Sequence, residues 1–311
     1  MSKAPAIAAV LAALGLAGAA AGCGLGARDE REGGAELRVT SDFGRSELGS
    51  ARVGTLREDQ TVMRLLQSEF DVETRFGGRF VQSIDGLDGG GPSGMRDWFF
   101  FVNGVEGEVG AGEYELSPGD RVQWDHRDWG AAMRVPAIVG AFPEPFLNGL
   151  KGERRPVRVE CDVVESAPCD DARDTLDGLG VPTSGSSLGA PGTETVTRLV
   201  VAAWPRARIV RGAPTLEEGP EESGVFARFT DGTLELLDER GDVARTVRPG
   251  DGTALVAALR PRADELLWLV TALDREGLAA GVDALEEREL RGAFAVAVTG
   301  DTVENLPLPA R

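Results

Sequence analysis

The chain has 311 residues, of which 51 are Asp or Glu, 33 are Lys or Arg and one is His, so its formal net charge is −18. Nucleic-acid backbones and anionic lipid surfaces both require clustered basic charge, so this composition argues against binding to either of them. Hydrophobic residues make up 42% of the chain, which is enough for packed cores, and the length favours two modest domains over one.

The first 22 residues are typical of a secretory signal. Lys3 is followed by an apolar run over residues 6–16 and then by small residues up to Cys23. A basic start, a short apolar core and small residues before a cleavage point are features of such signals, and the run is too short to span a membrane comfortably. We therefore expect residues 1–22 to be removed and residues 23–35 to form a flexible tether.

The residues around Cys23 resemble the bacterial lipobox. The motif is Ala20-Ala21-Gly22-Cys23, in which Ala20 replaces the usual Leu. The resemblance implies that Cys23 is acylated and becomes the first residue of the mature protein. We expect a protein on the extracytoplasmic face of the cell membrane whose link to the membrane is this lipid alone, and a plainly secreted protein is the alternative.

The two other cysteines, Cys161 and Cys169, are close enough in the sequence to form a bridge. If Cys23 carries lipid, an even pair remains, and disulfides persist outside the cytoplasm. We predict a Cys161–Cys169 disulfide, with two buried free thiols as the alternative. A zinc site would need more Cys or His than the sequence offers nearby, so no metal site is predicted.

Residues 36–130 have the element order of one helix on a mixed sheet. Strand patterns at 37–40 and 52–56 precede a helix that is expected to begin at Glu58, and several strands follow it. Residues 40–49 are expected to form a long polar loop. One helix across one face of a mixed sheet is the β-grasp arrangement, so we predict an α+β fold, with a β-grasp-like N-terminal domain followed by a small mixed α/β domain.

The strand at residues 98–102 is apolar on both faces. Because side chains alternate along a strand, Phe99 and Phe101 lie on the opposite face from Trp98. A strand with one wet face alternates apolar with polar residues, so something covers the second face. The cover is a ligand or a partner, or it is the chain itself. For the last case residues 131–154, which are apolar and punctuated by proline up to residue 150, are predicted as a linker and cover segment.

Four motifs in this region resemble the transcobalamin C-terminal-like domain, a soluble ligand-binding β-grasp module of bacterial surface lipoproteins. They are Thr61–Leu66, Phe80–Gly86, Trp98–Gly104 and Pro118–Trp124. They occur in the family's order and spacing within residues 36–130. The resemblance implies a binding module. Eukaryotic relatives bind cobalamin, and the ligand of most bacterial relatives is unknown.

The second face of the sheet is the candidate site for a flat small ligand. The candidate ligand-binding residues are Phe99, Phe101, Asn103, Trp124, Asp125, His126 and Trp129. The aromatic residues would supply rigid stacking area, and the others would supply polar partners at its edge. Alternation places both sequence neighbours of His126 on the other face of the strand, so a metal-binding or acid–base role for His126 is not expected.

We expect capture of a corrinoid-like or other flat molecule for uptake or sensing, with a membrane importer as partner and no other cofactor. The alternative is a structural or interaction protein of the cell envelope that has no small-molecule ligand. Quenching of tryptophan fluorescence by a saturating ligand would distinguish the two.

Residues 155–311 have the pattern of a mixed α/β domain. The near-continuous apolar run at 195–203 is typical of a strand covered on both faces, and Asp231-Gly232 predicts a hairpin turn. Residues 252–259 are expected to be helical. This half contains no nucleophile elbow, phosphate-binding loop, glycine-rich dinucleotide turn or paired metal ligands. We therefore expect no enzymatic activity.

Overall fold

The computed structural model describes residues 30–90 and 94–310. The predicted signal, the lipidation site Cys23 and residues 24–29 of the predicted tether lie outside the described residues, whereas residues 30–35 of that tether belong to the first strand. The chain is a mixed α/β protein in which strands predominate over helices in these ranges. No helix within them is long and apolar enough to cross a membrane.

The first half of the chain, up to residue 130, is built on a five-stranded mixed sheet. Its elements are β1 (Glu30–Ser41), β2 (Ser46–Arg57), α1 (Val62–Glu69), β3 (Val72–Arg75), β4 (Phe80–Ile84), β5 (Leu87–Asp88), β6 (Arg96–Val102), β7 (Val105–Glu106) and β8 (Arg121–Asp128). The sheet has the strand order β2-β1-β8-β6-β7. Strands β1 and β8 pair in parallel at its centre, and the other pairs are antiparallel. Strands β3 to β5 form a separate small sheet.

Helix α1 packs across one face of the five-stranded sheet. The Thr61 side chain caps the helix by accepting a hydrogen bond of 3.3 Å from the backbone N–H of Arg64. The buried residues of α1 are Val62, Met63, Leu65 and Leu66. They share a hydrophobic core with apolar residues of β1, β6 and β8. The helix begins at Val62 and not at the predicted Glu58, because the threonine cap defines its start.

The connection between β1 and β2 is a tight turn at residues 42–45, so the predicted long loop at 40–49 is wrong. Asp42 and Phe43 both have positive φ, at 56° and 62°. This left-handed conformation is uncommon for residues other than glycine. The sequence therefore gives little sign of the turn, and contacts from elsewhere in the fold are needed to hold it.

The second half, from residue 155 onward, is built on a seven-stranded sheet. Its strands and helices are β9 (Val157–Cys161), α2 (Ala167–Gly178), β10 (Thr183–Ser187), β11 (Thr197–Val201), α3 (Trp204–Ala207), α4 (Pro220–Ser223), β12 (Ala227–Thr230), β13 (Thr233–Leu237), β14 (Val243–Val247), β15 (Thr253–Arg262), β16 (Glu265–Ala272), α5 (Arg275–Asp283), α6 (Glu287–Leu290), β17 (Ala295–Thr299) and β18 (Thr302–Leu306). Short 3-10 helices occupy Thr193–Thr195 and Ala213–Glu217.

The large sheet has the order β10-β9-β11-β16-β15-β17-β18, and β12 to β14 form a separate three-stranded sheet. The first four strands are parallel, and the last three pair antiparallel with their neighbours. The predicted apolar strand at 195–203 is confirmed as β11, whose residues are all buried. The predicted turn at Asp231-Gly232 is confirmed between β12 and β13.

Residues 252–259 do not form the predicted helix, since 253–259 belong to strand β15. Every residue from Thr253 to Leu259 is buried, because β15 lies between β16 and β17 with core on both of its faces. An apolar run that is buried on both faces lacks the alternation of a half-exposed strand. Periodicity alone therefore does not separate such a strand from a buried helix.

Cys161 at the end of β9 and Cys169 in α2 form the predicted disulfide. Both residues are buried in the core between the large sheet and its helices. The bridge ties α2 to β9, which lies between β10 and β11 in the parallel part of the sheet.

The second face of the first sheet packs against the second half of the chain. Phe43 from the β1–β2 turn and Phe101 of β6 enter one hydrophobic cluster with Phe226 and Phe294. The ring centroid of Phe294 lies 5.3 Å from that of Phe43 and 5.4 Å from that of Phe101. Residues 131–154, here called the cover segment, add apolar side chains to the same cluster. The aromatic strand is thus covered by the chain itself.

Candidate functional site

The seven predicted ligand-binding residues do not lie on one surface. In the antiparallel pair of β6 and β8, Phe99 stands opposite Asp125 and Phe101 opposite Gln123, on the face toward the second half. Trp124 lies on the other face, toward α1. The residues toward the second half are Phe99, Phe101 and Asp125, those toward α1 are Trp124 and His126, and those beyond the strand ends are Asn103 and Trp129.

The rings of Phe99 and Phe101 contact other groups of the chain. Phe101 has no exposed surface and packs edge-on against Phe294. The guanidinium carbon of Arg127 lies 3.8 Å from the ring centroid of Phe99, in a cation–π arrangement. Arg127 is itself held by a hydrogen bond of 2.8 Å from Nη1 to the carbonyl oxygen of Ala132 in the cover segment. One ring is therefore sealed, and one face of the other is occupied.

Asp125 holds the β1–β2 turn. Its carboxylate accepts hydrogen bonds from the backbone N–H groups of Phe43 and Gly44, at 3.0 and 2.8 Å, and from the hydroxyl of Thr40 at 2.6 Å. Burial raises the pKa of Asp125, although the hydrogen bond from Thr40 acts in the opposite direction. Both carboxylate oxygens are therefore occupied by hydrogen bonds within the chain.

Asn103 forms the predicted hairpin turn with Gly104, and both residues have positive φ. Its Nδ2 donates to Asp120 Oδ1 at 2.8 Å and to the carbonyl oxygen of Gly149 at 2.7 Å. Its Oδ1 accepts from the backbone N–H of Arg121 at 2.8 Å. The amide joins the hairpin to β8 and to the cover segment, so its hydrogen-bonding atoms are used within the chain.

Trp124 belongs to the core beneath α1, His126 is buried on the same face of β8, and Trp129 follows β8 in a half-buried position. The ring centroid of His126 lies 5.0 Å from that of Trp98. Burial lowers the pKa of His126, and the nearby Arg96 lowers it further. The described residues contain no group of three His, Cys, Asp or Glu that could hold a metal ion.

The second face of the first sheet is open beside β1 and β2. A cleft of about 210 Å³ lies there, with side chains of β1, β2 and β8 as its floor. Gly140 and Ala141 of the cover segment and Arg291 of the second half form its wall. The face is therefore divided into a sealed apolar part at β6 and an open polar part at β1 and β2.

The charged residues that line this cleft are Arg38, Arg52, Arg121, Arg291 and Glu36. Four guanidinium groups thus line the cleft beside one carboxylate, and two further carboxylates, Glu47 and Glu287, pair with Arg38, Arg291 and Arg121, in a chain whose net charge is −18. Arg38 has a side chain that is 15% exposed, and its Nε lies 3.3 Å from Glu47 Oε2. Burial lowers the pKa of Arg38, and the positive charge of Arg291 lowers it further. The cleft is a site where positive charges are crowded together.

Sequence reasoning missed these arginines. The alternation along β1 does place Arg38 on the face opposite Leu37, and this was the available signal. The proximity of Arg38 to Arg121 depends on the parallel pairing of β1 with β8. Its proximity to Arg291 depends on how the second half packs on the sheet, which local patterns do not reveal.

A second cavity of about 280 Å³ lies where β7 and the cover segment meet the β15–β16 hairpin. Its charged residues are Glu106, Glu108, Glu153, Lys151, Arg155 and Arg260. Burial raises the pKa of Glu106, although Arg127 and Arg134 act in the opposite direction. Three acidic and three basic side chains line this cavity, so their formal charges cancel.

Residues 59–127 match the family model of a domain of unknown function, DUF4430. The matched range runs from just before α1 into β8 and leaves the second half outside. A candidate metal-binding protein from Ruminococcus gnavus ATCC 29149 is similar in structure with a TM-score of 0.26 and 18% identity, over 31% of this chain and 98% of that one. Haptocorrin in complex with Cbi is similar with a TM-score of 0.25 and 16% identity, over 32% of this chain and 26% of haptocorrin. No curated protein matches the chain.

Proposed function

We propose that this protein is an extracytoplasmic, lipid-anchored binding protein whose small-ligand site is the cleft beside β1 and β2. The observation that carries the proposal is that side chains from three strands of the first sheet and from the second half meet around one concave space. Small-ligand sites are concave, few in number and often placed where two parts of a protein meet.

The proposed location rests on the N-terminal sequence and on the disulfide. The segment before Cys23 has the features of a lipoprotein signal. The Cys161–Cys169 bridge is of a kind that persists outside the cytoplasm. In this proposal the lipid on Cys23 keeps the protein beside a membrane importer or sensor, to which the bound ligand is passed.

The first half is proposed to be a β-grasp module of the transcobalamin C-terminal-like type. Its support is that the first and last strands pair in parallel at the centre of the sheet, while one helix crosses one face. This topology leaves the second face for other uses. The aromatic part of that face is packed against the second half, so the proposed site is the part beside β1 and β2.

The proposed ligand is compact and polar. Pockets for drug-sized ligands measure roughly 300–1,000 Å³, and the cleft measures about 210 Å³. A corrin ring with its substituents is larger than a drug-sized ligand. A small charged or hydroxylated molecule therefore fits this cleft better than the corrinoid that the family resemblance implies.

The second candidate function is a structural or interaction role in the cell envelope without a small-molecule ligand. Its support is that Phe101 is sealed in a core that both halves share. In that account the aromatic strand serves packing alone, and the cleft is a surface depression filled by water.

A binding screen with a blocking variant tests the first proposal. Small polar metabolites, vitamins and cobamides are added to the purified chain, and a bound compound raises the melting temperature through linkage. Ser50 is exposed on β2 and lines the cleft, so Ser50→Trp fills its mouth. Thr55→Trp places the same side chain at an exposed position of the same strand outside the cleft and is the matched control.

We expect at least one compound to raise the melting temperature of the wild type and of Thr55→Trp but not of Ser50→Trp. Stabilisation that persists in Ser50→Trp and disappears in Phe99→Ala would return the site to the aromatic strand. If no compound stabilises the chain and an envelope protein co-purifies with it, the structural role is correct.

A further inference from the structure

We infer that the cleft beside β1 and β2 binds a small oxyanion, a carboxylate or a phosphate, between Arg38, Arg121 and Arg291. The inference rests on the proposed function, because it names the chemical class of the ligand for the same site. Guanidinium groups present paired N–H donors that match the oxygens of carboxylates and phosphates.

Positive charge predominates around the cleft. Its lining contains four arginines and one carboxylate, and positive charges stay in excess when the paired carboxylates of Glu47 and Glu287 are included. The second cavity is balanced, and the groove beside α5 and β17 is lined by five acidic side chains and one arginine. In a chain with a net charge of −18, an excess of positive charge at a concave site is the reverse of the average surface. An anion is therefore attracted to this site more than to the other two.

Two of these arginines share one counter-charge. Oε2 of Glu47 lies 3.3 Å from Arg38 Nε and also 3.3 Å from Arg291 Nη2, so a single carboxylate oxygen serves two guanidinium groups. Glu47 is well exposed, and an ion pair with such a group contributes little because water screens it. A bound oxyanion adds the negative charge that Glu47 alone supplies incompletely.

Contacts with the rest of the chain fix the position of Arg121. Arg121 Nη1 donates to the carbonyl oxygen of Phe142 at 2.8 Å and lies 2.9 Å from Glu287 Oε1. These contacts tie the guanidinium to the cover segment and to α6. A ligand therefore meets a donor group whose orientation is already set, which reduces the entropy lost on binding.

The loop that carries Arg291 is also held in place. The next residue, Gly292, accepts a hydrogen bond of 2.9 Å from Gln123 Nε2 and donates one of 3.0 Å to the carbonyl oxygen of Gly140. A Cβ atom at Gly140 would lie 2.5 Å from the carbonyl carbon of Gly292, so the close approach requires glycine. The two halves thus present their arginines to one space, and an anion bound there joins them.

Amide chemical shifts in the 15N-labelled full chain test the inference, with Ser50, Ala141 and Arg291 as reporters at the cleft. The probes are inorganic phosphate, succinate and, as a neutral compound, glucose, each titrated at constant ionic strength adjusted with sodium chloride. The variants are Arg38→Gln and Arg291→Gln. The matched control is Arg206→Gln, an exposed arginine that pairs with Asp162 and does not line the cleft.

We expect phosphate or succinate to shift the three reporters saturably, with an affinity at least tenfold weaker in Arg291→Gln and unchanged in Arg206→Gln. Saturation by phosphate alone identifies a phosphoryl ligand, and saturation by succinate alone identifies a carboxylate. Arg291 is half-exposed, so its variant keeps the test decisive if Arg38→Gln fails to fold.

Two outcomes overturn the inference, and they differ in what they leave standing. If glucose shifts the reporters saturably and neither anion does, the anion class is wrong while the cleft remains a binding site. If anion-induced shifts are the same in Arg291→Gln and in the wild type, or no probe moves the reporters, oxyanions are not bound between these arginines.

Discussion

The carboxylate of Asp125 accepts a hydrogen bond of 3.0 Å from the backbone N–H of Phe43, a residue 82 positions earlier in the chain. This bond and its neighbour at Gly44 hold the β1–β2 turn in the left-handed region of backbone space. The turn in turn carries the ring of Phe43 to Phe226, at a centroid distance of 4.8 Å. One buried carboxylate of the first sheet therefore positions an aromatic ring in the core that both halves share.

Replacing Asp125 with asparagine tests the role of this carboxylate. One of its oxygens becomes an NH2 group, so a buried backbone N–H of the turn faces a second donor and loses its partner. We expect the free energy of unfolding to fall by roughly 1–3 kcal/mol, measured by urea denaturation. Asp174→Asn on the exposed side of α2 is the control. An equal effect in both variants would contradict the role of the Asp125 carboxylate in holding the turn.

Truncation of Phe43 tests the junction core. Phe43→Ala leaves the backbone conformation available to the turn but removes a buried ring, and we expect a loss of roughly 3–5 kcal/mol of unfolding free energy. Phe76 is 75% exposed and also has positive φ, so Phe76→Ala is a matched control with an expected change within about 0.5 kcal/mol. Similar losses in the two variants would mean that Phe43 contributes nothing by its packing.

Glu160 is expected to be the most sensitive carboxylate of the second half. It is fully buried and accepts hydrogen bonds of 2.8 and 2.9 Å from Arg198, which is 1% exposed. Removing its charge by Glu160→Gln leaves a buried guanidinium uncompensated, so we expect a loss of roughly 3–5 kcal/mol of unfolding free energy. Glu165→Gln, at an exposed position, should unfold like the wild type.

The same carboxylate should make stability depend on pH in the acid range. Burial raises the pKa of Glu160, but the hydrogen bonds and charges of Arg198 and Arg158 outweigh it and bring the pKa below its ordinary value of 4.5. The stabilisation is therefore present above pH 4.5 and is lost as the pH falls through the lower folded-state value. Urea titrations at stepped pH should show a shallower acid loss in Glu160→Gln, and parallel curves would refute this linkage.

Reduction of the Cys161–Cys169 bridge should destabilise the second half. The two residues are 8 positions apart. Closing a loop of this size lowers the entropy of the unfolded chain and raises the free energy of unfolding by roughly 2–3 kcal/mol. Both sulfurs are buried in the native state, so the chain is denatured before dithiothreitol is added. We expect the melting temperature to be lower after this treatment. The Cys161→Ala/Cys169→Ala double variant should not respond to the reductant.

Local sequence predicts the hairpin turns and the central strands. Asn103-Gly104 and Asp231-Gly232 combine residues that tolerate positive φ, so their chemistry specifies a hairpin without help from the rest of the chain. The β1–β2 turn was not accessible, because the residues that adopt positive φ there include Phe43, and the partner that stabilises them is Asp125 on a distant strand. Strand β15 was missed because burial on both faces removes the period of two.

The sequence predicts the face of the sheet on which the candidate site lies, but not its position on that face. Its general place, the second face of the first sheet, follows from a single helix that covers one face. Which part of that face stays open depends on the packing of Phe294 and Phe226 against β6 and the β1–β2 turn, and sequence patterns do not encode that docking. The aromatic residues at 98–102 therefore predict a site at the sealed part of the face, and the sequence pattern does not indicate Arg38.

The shared aromatic cluster sets where the chain can be cut. A fragment that ends at residue 130 would expose the rings of Phe43 and Phe101 to water as an apolar patch. Such patches promote self-association. Recombinant fragments, domain swaps and fusion proteins built on the front portion alone would then precipitate or aggregate for reasons unrelated to their biology. Useful fragments of this protein must keep both portions together.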